Sequence, residues 1–157
     1  MRTKGNQKHG IISKKLYEDI VSTMPISCVD LLLVHKKSFL LGLRKNKPLK
    51  NKWCFSGGRI LKGESLTKAV YRKLKDETGL NEKDVGSVSF LTVKDVFYPT
   101  SEFDSSMHNI NLIYKIRVKS PNNLRSDSQH SSLKWFSSID KKWPSYVKFG
   151  LKLAGFK

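Results

Sequence analysis

Apolar segments separated by polar turns predict most of the strands of this chain. Residues 28–34 are apolar almost throughout and predict a buried strand, and residues 39–43 predict a second strand that forms a hairpin with it. Residues 85–97 and 110–118 alternate between apolar and polar side chains in the manner of longer strands, and a short strand is expected at 133–136. The pattern therefore predicts a sheet built on a hairpin and two long strands.

Helical spacing of apolar positions predicts three helices. The clearest is 65–78, where Ser65 suits the N-cap and Gly79 suits the left-handed residue just past the end. Shorter helices are expected at 13–23 and 144–156. The side chains expected to face inward are Leu66, Ala69, Val70 and Leu74 in the second helix, and Tyr146, Val147, Phe149, Leu151 and Leu153 in the third.

Strands that alternate with helices over 157 residues predict one α/β domain with a mixed β-sheet. Residues 11–157 are expected to form that domain, and residues 1–10 a flexible basic arm. No run approaches the roughly 18 consecutive apolar residues of a membrane span, so no membrane partner is expected. Cys28 and Cys54 make neither a disulfide framework nor a four-ligand zinc site, and we interpret both as small core residues of a cytoplasmic protein.

The charge balance points to a phosphate-bearing partner. Lys and Arg number 30 against 13 Asp and Glu, which gives a formal net charge of +17. A basic chain attracts phosphates on nucleic acids, nucleotides or membranes, and charge alone does not choose among them.

The stretch from Gly58 to Leu80, GRILKGESLTKAVYRKLKDETGL, carries the most specific chemical signal. It resembles the Nudix box, G-x5-E-x7-R-E-U-x-E-E-x-G-U, in which U is a bulky aliphatic residue. The matching positions are Gly58, Glu64, Arg72, Leu74, Glu77, Gly79 and Leu80. An ordinary amphipathic helix after a glycine turn would not explain the loop, the helix and the glycine stop together. The resemblance implies the Nudix fold, a mixed β-sheet sandwiched between helices.

The box departs from the family pattern at Lys73 and, conservatively, at Asp76. Lys73 replaces the first Glu of the R-E pair and is one helical turn from Glu77, so the two share a face. This site is expected to hold fewer metal ions than a box with both carboxylates. An alternative interpretation is that Lys73 and Glu77 simply form an i,i+4 ion pair.

This chain resembles one branch of the superfamily, the GDP-mannose mannosyl hydrolases, which also lacks the first Glu of the box and keeps the last one. Beyond the box, Phe39-Leu40-Leu41-Gly42 with Arg44, Trp53 with Gly57-Gly58-Arg59, and Gln129-His130 before Trp135 also resemble that branch. The resemblance covers roughly residues 16 to 140. It implies hydrolysis of a GDP-sugar to GDP and free hexose by attack of water at the anomeric carbon, and it implies a homodimer.

The resemblance also assigns roles to individual residues. It implies one Mg²⁺, with Mn²⁺ able to substitute, held by the Gly57 carbonyl, Glu77 and Gln129, all of which offer the oxygen that Mg²⁺ prefers. It implies His130 as the general base, and an imidazole pKa near 6.5 suits that task. Without the resemblance, Gln129 and His130 would be interpreted as solvated loop residues.

The resemblance further implies a catalytic role for Arg72, which is expected to orient Glu carboxylates through charge-assisted bonds. Arg44 and Arg59 are expected to clamp the diphosphate of the nucleotide-sugar substrate. A bare carboxylate inside an apolar strand, such as Asp30, is costly unless it is paired or functional. The resemblance implies that Asp30 contacts the substrate. The alternative for Asp30 is a pairing with Arg44 or a lysine.

Two other functions remain open at this point. One is a Nudix pyrophosphohydrolase that cuts between the phosphates of a nucleotide sugar or another nucleoside diphosphate derivative. The other is a basic protein that binds RNA or nucleotides on a degenerate Nudix fold, which the net charge favours. Lys73 and the Gln129-His130 pair argue against the pyrophosphohydrolase. The intact Glu77, Arg72, Gln129 and His130 argue against the binding protein, so a nucleic-acid partner is not favoured.

Overall fold

The computed structural model describes residues 12–122 and 124–157, and the predicted arm at 1–10 lies outside them. The described ranges hold three α-helices, one short 3₁₀ helix and seven strands. The elements are α1 (Lys14–Thr23), β1 (Ile26–His35), β2 (Ser38–Arg44), β3 (Trp53–Cys54), β4 (Ser56–Arg59), α2 (Leu66–Thr78), the 3₁₀ helix Glu82–Asp84, β5 (Val85–Tyr98), β6 (Met107–Val118), β7 (His130–Phe136) and α3 (Ser145–Leu153). No helix within the described ranges has the length and apolar character needed to cross a membrane.

The strands form one mixed sheet in the order β3-β2-β1-β6-β5, with β4 added to β1 and β7 added to β2. β1 and β6 are parallel, and the other pairs are antiparallel. β1 pairs with β2 beside the hairpin turn, through Val34 and His35, whereas β4 pairs with β1 at Cys28–Leu31. The sheet therefore places β4, the end of β2 and the start of β7 around the same part of β1.

The sheet separates two apolar cores, one beneath α3 and the other beneath α2. Even-numbered β1 residues Leu32 and Val34 pack on the α3 side with Val147 and Leu151. Odd-numbered Val29, Leu31 and Leu33 pack on the α2 side with Ala69, Val70 and Leu74. Successive side chains of a strand point to opposite faces, so a strand covered on both faces is apolar almost throughout. The predicted α/β fold, with a mixed sheet between helices, is confirmed.

The ends of α2 also agree with the sequence. The Ser65 hydroxyl accepts a hydrogen bond from the Lys68 amide at 3.3 Å, and Gly79 adopts the left-handed conformation at φ 74°. Both cysteines are buried free thiols, as expected.

Two local predictions were wrong. Leu66, Phe149 and Leu153 were expected to face inward, but they are 41%, 41% and 52% exposed. Leu66 is the first residue of α2, and Phe149 and Leu153 lie one turn apart on α3, away from its buried residues. The loop expected to end at residue 132 ends earlier, since β7 begins at His130, which pairs with Arg44 of β2.

Candidate active site

A cavity of about 550 Å³ opens where β1, β4 and the end of β2 meet. The predicted site residues that line it are Asp30, Arg44, Gly57, Arg59, Arg72 and Gln129. Lys47 and Lys73 also line it, so most of its charged side chains are cationic. Glu77 and His130 are each only 1% exposed and do not contribute to this lining. The volume is within the range of small-molecule sites, and the cations suit a phosphate-bearing ligand.

Glu77 is a buried carboxylate held from two sides. Its Oε2 accepts a hydrogen bond from the Gly57 amide at 2.7 Å, and its Oε1 lies 2.6 Å from the Lys73 ammonium. Oε1 has no partner with hydrogen-bond geometry among the described residues, so the lysine contact is an ion pair and not a directed hydrogen bond. The i,i+4 pair considered from the sequence is therefore present, and it joins α2 to the cavity.

Lys73 reaches the cavity by passing over Gly58. A methyl group at Gly58 would lie 2.6 Å from Lys73 Cε, closer than side chains tolerate, and the residue has a φ of 154°. The glycine before Arg59 therefore gives the lysine stem its path between β4 and α2.

His130 is held in one orientation by Asp127. The His130 Nδ1 lies 2.8 Å from Asp127 Oδ1, and the same oxygen accepts the backbone amides of Gln129 at 3.1 Å and His130 at 3.0 Å. The opposite ring nitrogen, Nε2, is buried and has no hydrogen-bond partner among the described residues. The ring packs directly on Gly42, where an added methyl group would lie 2.4 Å from His130 Cδ2.

Glu77, Asp127 and His130 form a group that could hold a metal ion. Each offers one ligand atom, and these atoms all lie within 4.8 Å of one another. Glu77 Oε1 has no hydrogen-bond partner among the described residues, although Lys73 lies beside it, and it is the kind of buried oxygen that a divalent ion would take. The sequence did not single out Asp127; the available signal was a carboxylate shortly before a histidine, in a spacing typical of a local turn.

Arg72 makes the charge-assisted contact that the sequence led us to expect. Its Nε and Nη2 donate to the two carboxylate oxygens of Glu64 at 2.6 and 2.8 Å, and Nη2 also donates to the Arg59 carbonyl at 3.0 Å. The hydrogen bond from Arg72 is the main cause that lowers the pKa of Glu64. Arg72 therefore ties the loop before α2, and the backbone of β4, to the helix that carries Glu77.

Arg44 and Arg59 contribute guanidinium groups from different strands. The Arg44 Nε donates to the Pro48 carbonyl at 2.7 Å, which fixes the side chain at the edge of the loop after β2. The Arg59 guanidinium lies 4.6 Å from the ring centroid of Tyr17, in a cation–π contact with α1. Both side chains line the cavity.

Asp30 is 6% exposed and lies on β1, where the cavity meets the α3 side of the sheet. The Asn111 amide donates to Asp30 Oδ2 at 2.8 Å, so its hydrogen-bond partner is a neutral amide and not the arginine or lysine considered from the sequence. Burial raises the pKa of Asp30 to about 7 and outweighs the Asn111 hydrogen bond, which lowers it. A carboxyl group in this environment can exchange a proton near neutral pH.

A family model for the NUDIX domain matches residues 24–144. The chain is 37% identical over 134 residues to the low-salt glycan biosynthesis protein Agl8 of Haloferax volcanii, covering 84% of this chain and 83% of that protein. It is 33% identical over 94 residues to an ADP-ribose pyrophosphatase of Methanocaldococcus jannaschii, covering 60% of this chain and 52% of that protein.

Solved structures share the architecture. A MutT NUDIX hydrolase from Burkholderia pseudomallei superposes with a TM-score of 0.70 at 21% identity, covering 83% of this chain and 98% of that one. The NUDIX domain of Shewanella oneidensis NrtR, solved in complex with ADP ribose, superposes with a TM-score of 0.57 at 19% identity, covering 80% of this chain and 83% of that one. At these identities the likeness describes the fold alone.

Proposed function

The chain belongs to the NUDIX domain family, and we propose that it hydrolyses a GDP-sugar, GDP-mannose or GDP-glucose, to GDP and free hexose. The observation that carries the proposal is the Lys73–Glu77 ion pair. Lys73 stands where the box has a carboxylate and pairs with the charge of Glu77, and the buried His130 would supply a separate base. In this proposal water attacks the anomeric carbon and the GDP diphosphate is the leaving group. The glycan biosynthesis named for the Haloferax relative supports a nucleotide-sugar substrate.

The cationic wall of the cavity is suited to the diphosphate. Arg44 and Arg59 offer planar guanidinium groups, which can bind phosphate oxygens through two parallel hydrogen bonds. Lys73, already beside Glu77, adds a compact positive charge at the end of the cavity nearest the carboxylate. These charges would stabilise the negative charge that develops on the leaving GDP.

One divalent ion fits this arrangement. Glu77 would hold it through Oε1, which accepts no hydrogen bond from the part of the chain that the structure describes, together with the Gly57 carbonyl and the Gln129 amide oxygen. All three are oxygen donors, which favours Mg²⁺ and allows Mn²⁺. The ion supplies Lewis-acid stabilisation of the leaving diphosphate when it is bound.

His130 is the proposed general base and Arg72 the residue that positions the metal-holding helix. The Nε2 of His130 has no hydrogen-bond partner among the described residues, and in this proposal it accepts a proton from water, on the side of the ring opposite to Asp127. Arg72 acts through Glu64 and the Arg59 carbonyl, which fix the loop and strand beside Glu77. Asp30 contributes a buried carboxyl group for contact with the substrate.

A second candidate is a Nudix pyrophosphohydrolase, in which water attacks phosphorus. The similarity to an ADP-ribose pyrophosphatase favours it. The products of GDP-mannose would then be GMP and mannose 1-phosphate in place of GDP and mannose. The two candidates use the same cavity and differ in the bond that breaks.

Hydrolysis in H₂¹⁸O separates them. GDP-mannose, GDP-glucose and ADP-ribose are each incubated with the protein and Mg²⁺, and products are analysed by phosphorus NMR and mass spectrometry. We expect the ¹⁸O label in the free hexose and none in the GDP. The label in a phosphate product would identify attack at phosphorus and overturn the proposal. Glu77→Gln should abolish turnover, and Glu82→Gln is the matched control, because Glu82 is exposed at the start of the 3₁₀ helix.

A further inference from the structure

We propose that Asp127 is the positioning residue for His130, and that it fixes the imidazole in the form with hydrogen on Nδ1 and a lone pair on Nε2. The assignment of Nε2 as the atom that accepts a proton from water rests on the proposed function. The orientation and the tautomer rest on the geometry of the two side chains alone.

The tautomer follows from the chemistry of the contact. An ionised carboxylate only accepts hydrogen bonds, so the ring nitrogen 2.8 Å from Asp127 Oδ1 must be the donor. The neutral imidazole carries one hydrogen, and Nε2 is therefore left with its lone pair.

The Asp127 side chain is held in place by backbone amides of its own turn. Its Oδ1 also accepts the backbone amides of Gln129 and His130, so three donors converge on one oxygen. The two backbone hydrogen bonds close the turn that leads into β7 and hold the Asp127 carboxylate beside the His130 ring. The Asp127 side chain is 14% exposed, which limits competition from water for the same oxygen.

Tight packing restricts the His130 ring to a single position. The side chain is 1% exposed and lies against Gly42, on the neighbouring strand β2, with no room for a methyl group. Asp127 on the same turn and Glu77 on α2 offer carboxylate oxygens close to the ring, and Lys73 pairs with Glu77. Arg44 of β2 is the cross-strand partner of His130. Asp127 binds Nδ1, so Nε2 is the ring nitrogen left without a hydrogen-bond partner among the described residues.

The test is the tautomer of His130 measured by long-range ¹H–¹⁵N NMR on histidine-labelled protein, at a pH where the ring is neutral. The chain has four histidines, and the spectrum of His130→Gln identifies the signal of His130. In the unmodified protein we expect a protonated Nδ1 and an unprotonated Nε2. Asp127→Ala should lose this form, whereas Asp127→Asn, whose Oδ1 still accepts, should keep it.

Turnover provides the second readout. With GDP-mannose, Asp127→Ala should lower kcat by about 10- to 100-fold with little change in KM, the usual cost of removing a group that orients a reactive histidine. Asp127→Asn should recover part of kcat. Asp140→Ala is the matched control, since the Asp140 side chain also accepts a backbone amide two residues on, at 2.8 Å, in an exposed turn.

The two proposals can fail separately. An unchanged tautomer in Asp127→Ala, or an unchanged kcat, would overturn the role of Asp127. If the protein hydrolyses no GDP-sugar, the proposed function falls, and the NMR comparison still decides whether Asp127 orients His130. Circular dichroism of each variant checks that the fold is retained.

Discussion

Lys73 and Glu77 form a buried ion pair across one turn of α2, with 2.6 Å between Nζ and Oε1. Lys73 replaces a carboxylate of the Nudix box. Its ammonium group therefore lies where the family pattern has a metal ligand. A divalent ion that binds Glu77 must therefore compete with Lys73. We expect this pairing to lower the number of divalent ions that the site can hold.

Removal of the Lys73 charge tests that competition. In Lys73→Met, Glu77 stays buried without its counter-charge, and we expect the free energy of unfolding in metal-free buffer to fall by about 3–5 kcal/mol. Mn²⁺ should bind the variant more tightly and restore part of the loss, because an ion that binds the folded state stabilises it. Denaturant unfolding with and without Mn²⁺, and electron paramagnetic resonance of bound Mn²⁺, measure both effects.

Lys68→Met is the control for that experiment, since Lys68 is exposed on the same helix. It should change neither the unfolding free energy nor the affinity for Mn²⁺. Equal Mn²⁺ affinity in Lys73→Met and the unmodified protein would show that the lysine does not compete for Glu77.

Gly42→Ala probes the slot that holds His130. The new methyl group would lie 2.4 Å from His130 Cδ2, so the ring must move by about an ångström. Such a displacement of a reacting group costs on the order of 10²-fold in turnover, and overpacking costs about 1–3 kcal/mol of stability. Gly86→Ala adds a methyl group with its nearest contact at 3.5 Å and should leave turnover unchanged. Equal activity of the two variants would mean that the position of His130 does not matter.

Glu64→Gln tests the pH dependence of the arginine pair. The Arg72 hydrogen bond lowers the pKa of Glu64 in the folded chain, so the folded state binds this proton less readily than the unfolded state. The pair therefore stabilises the fold above the ordinary pKa of glutamate, and the contribution is lost as pH falls through the lowered value. Denaturant unfolding across the acid range should show a shallower pH dependence in Glu64→Gln. The same slope in the variant would contradict the assignment.

The thiols of Cys28 and Cys54 should be unreactive in the folded protein. Burial raises the pKa of both Cys28 and Cys54 to about 12, which suppresses the reactive thiolate at neutral pH. An aromatic disulfide reagent should label neither thiol in native buffer and both in concentrated denaturant. Rapid labelling of the native chain would indicate that the sheet opens near β1 or β3.

The sequence predicted the site better where the signal was local. The box fixed the positions of Glu64, Arg72 and Glu77 by spacing along one loop and one helix, and helical periodicity brings such residues together without long-range information. Asp127 was missed because its significance depends on the ring of His130, and a short polar loop gives no sign of which side chain it will hold.

Strand boundaries were less predictable than strand existence. Gly57-Gly58 has the composition of a turn, but pairing with β1 keeps the segment extended. The partner strand lies far away in the sequence, and tertiary pairing overrides the weak local preference of glycine. The same reason moves the start of β7 back to His130, whose partner is Arg44.

The sequence by itself determined the α/β architecture, the buried hairpin strand, the capped helix α2 and the replacement of a carboxylate by Lys73. These follow from periodicity, caps and spacing, which act over a few residues. The tertiary structure alone decided that Asp30 pairs with Asn111, that Asp127 holds His130, and that a cationic cavity joins β1, β4 and the end of β2. Those contacts join residues from separate strands and loops, or depend on the path of a loop, and only the packed sheet brings them within hydrogen-bond distance.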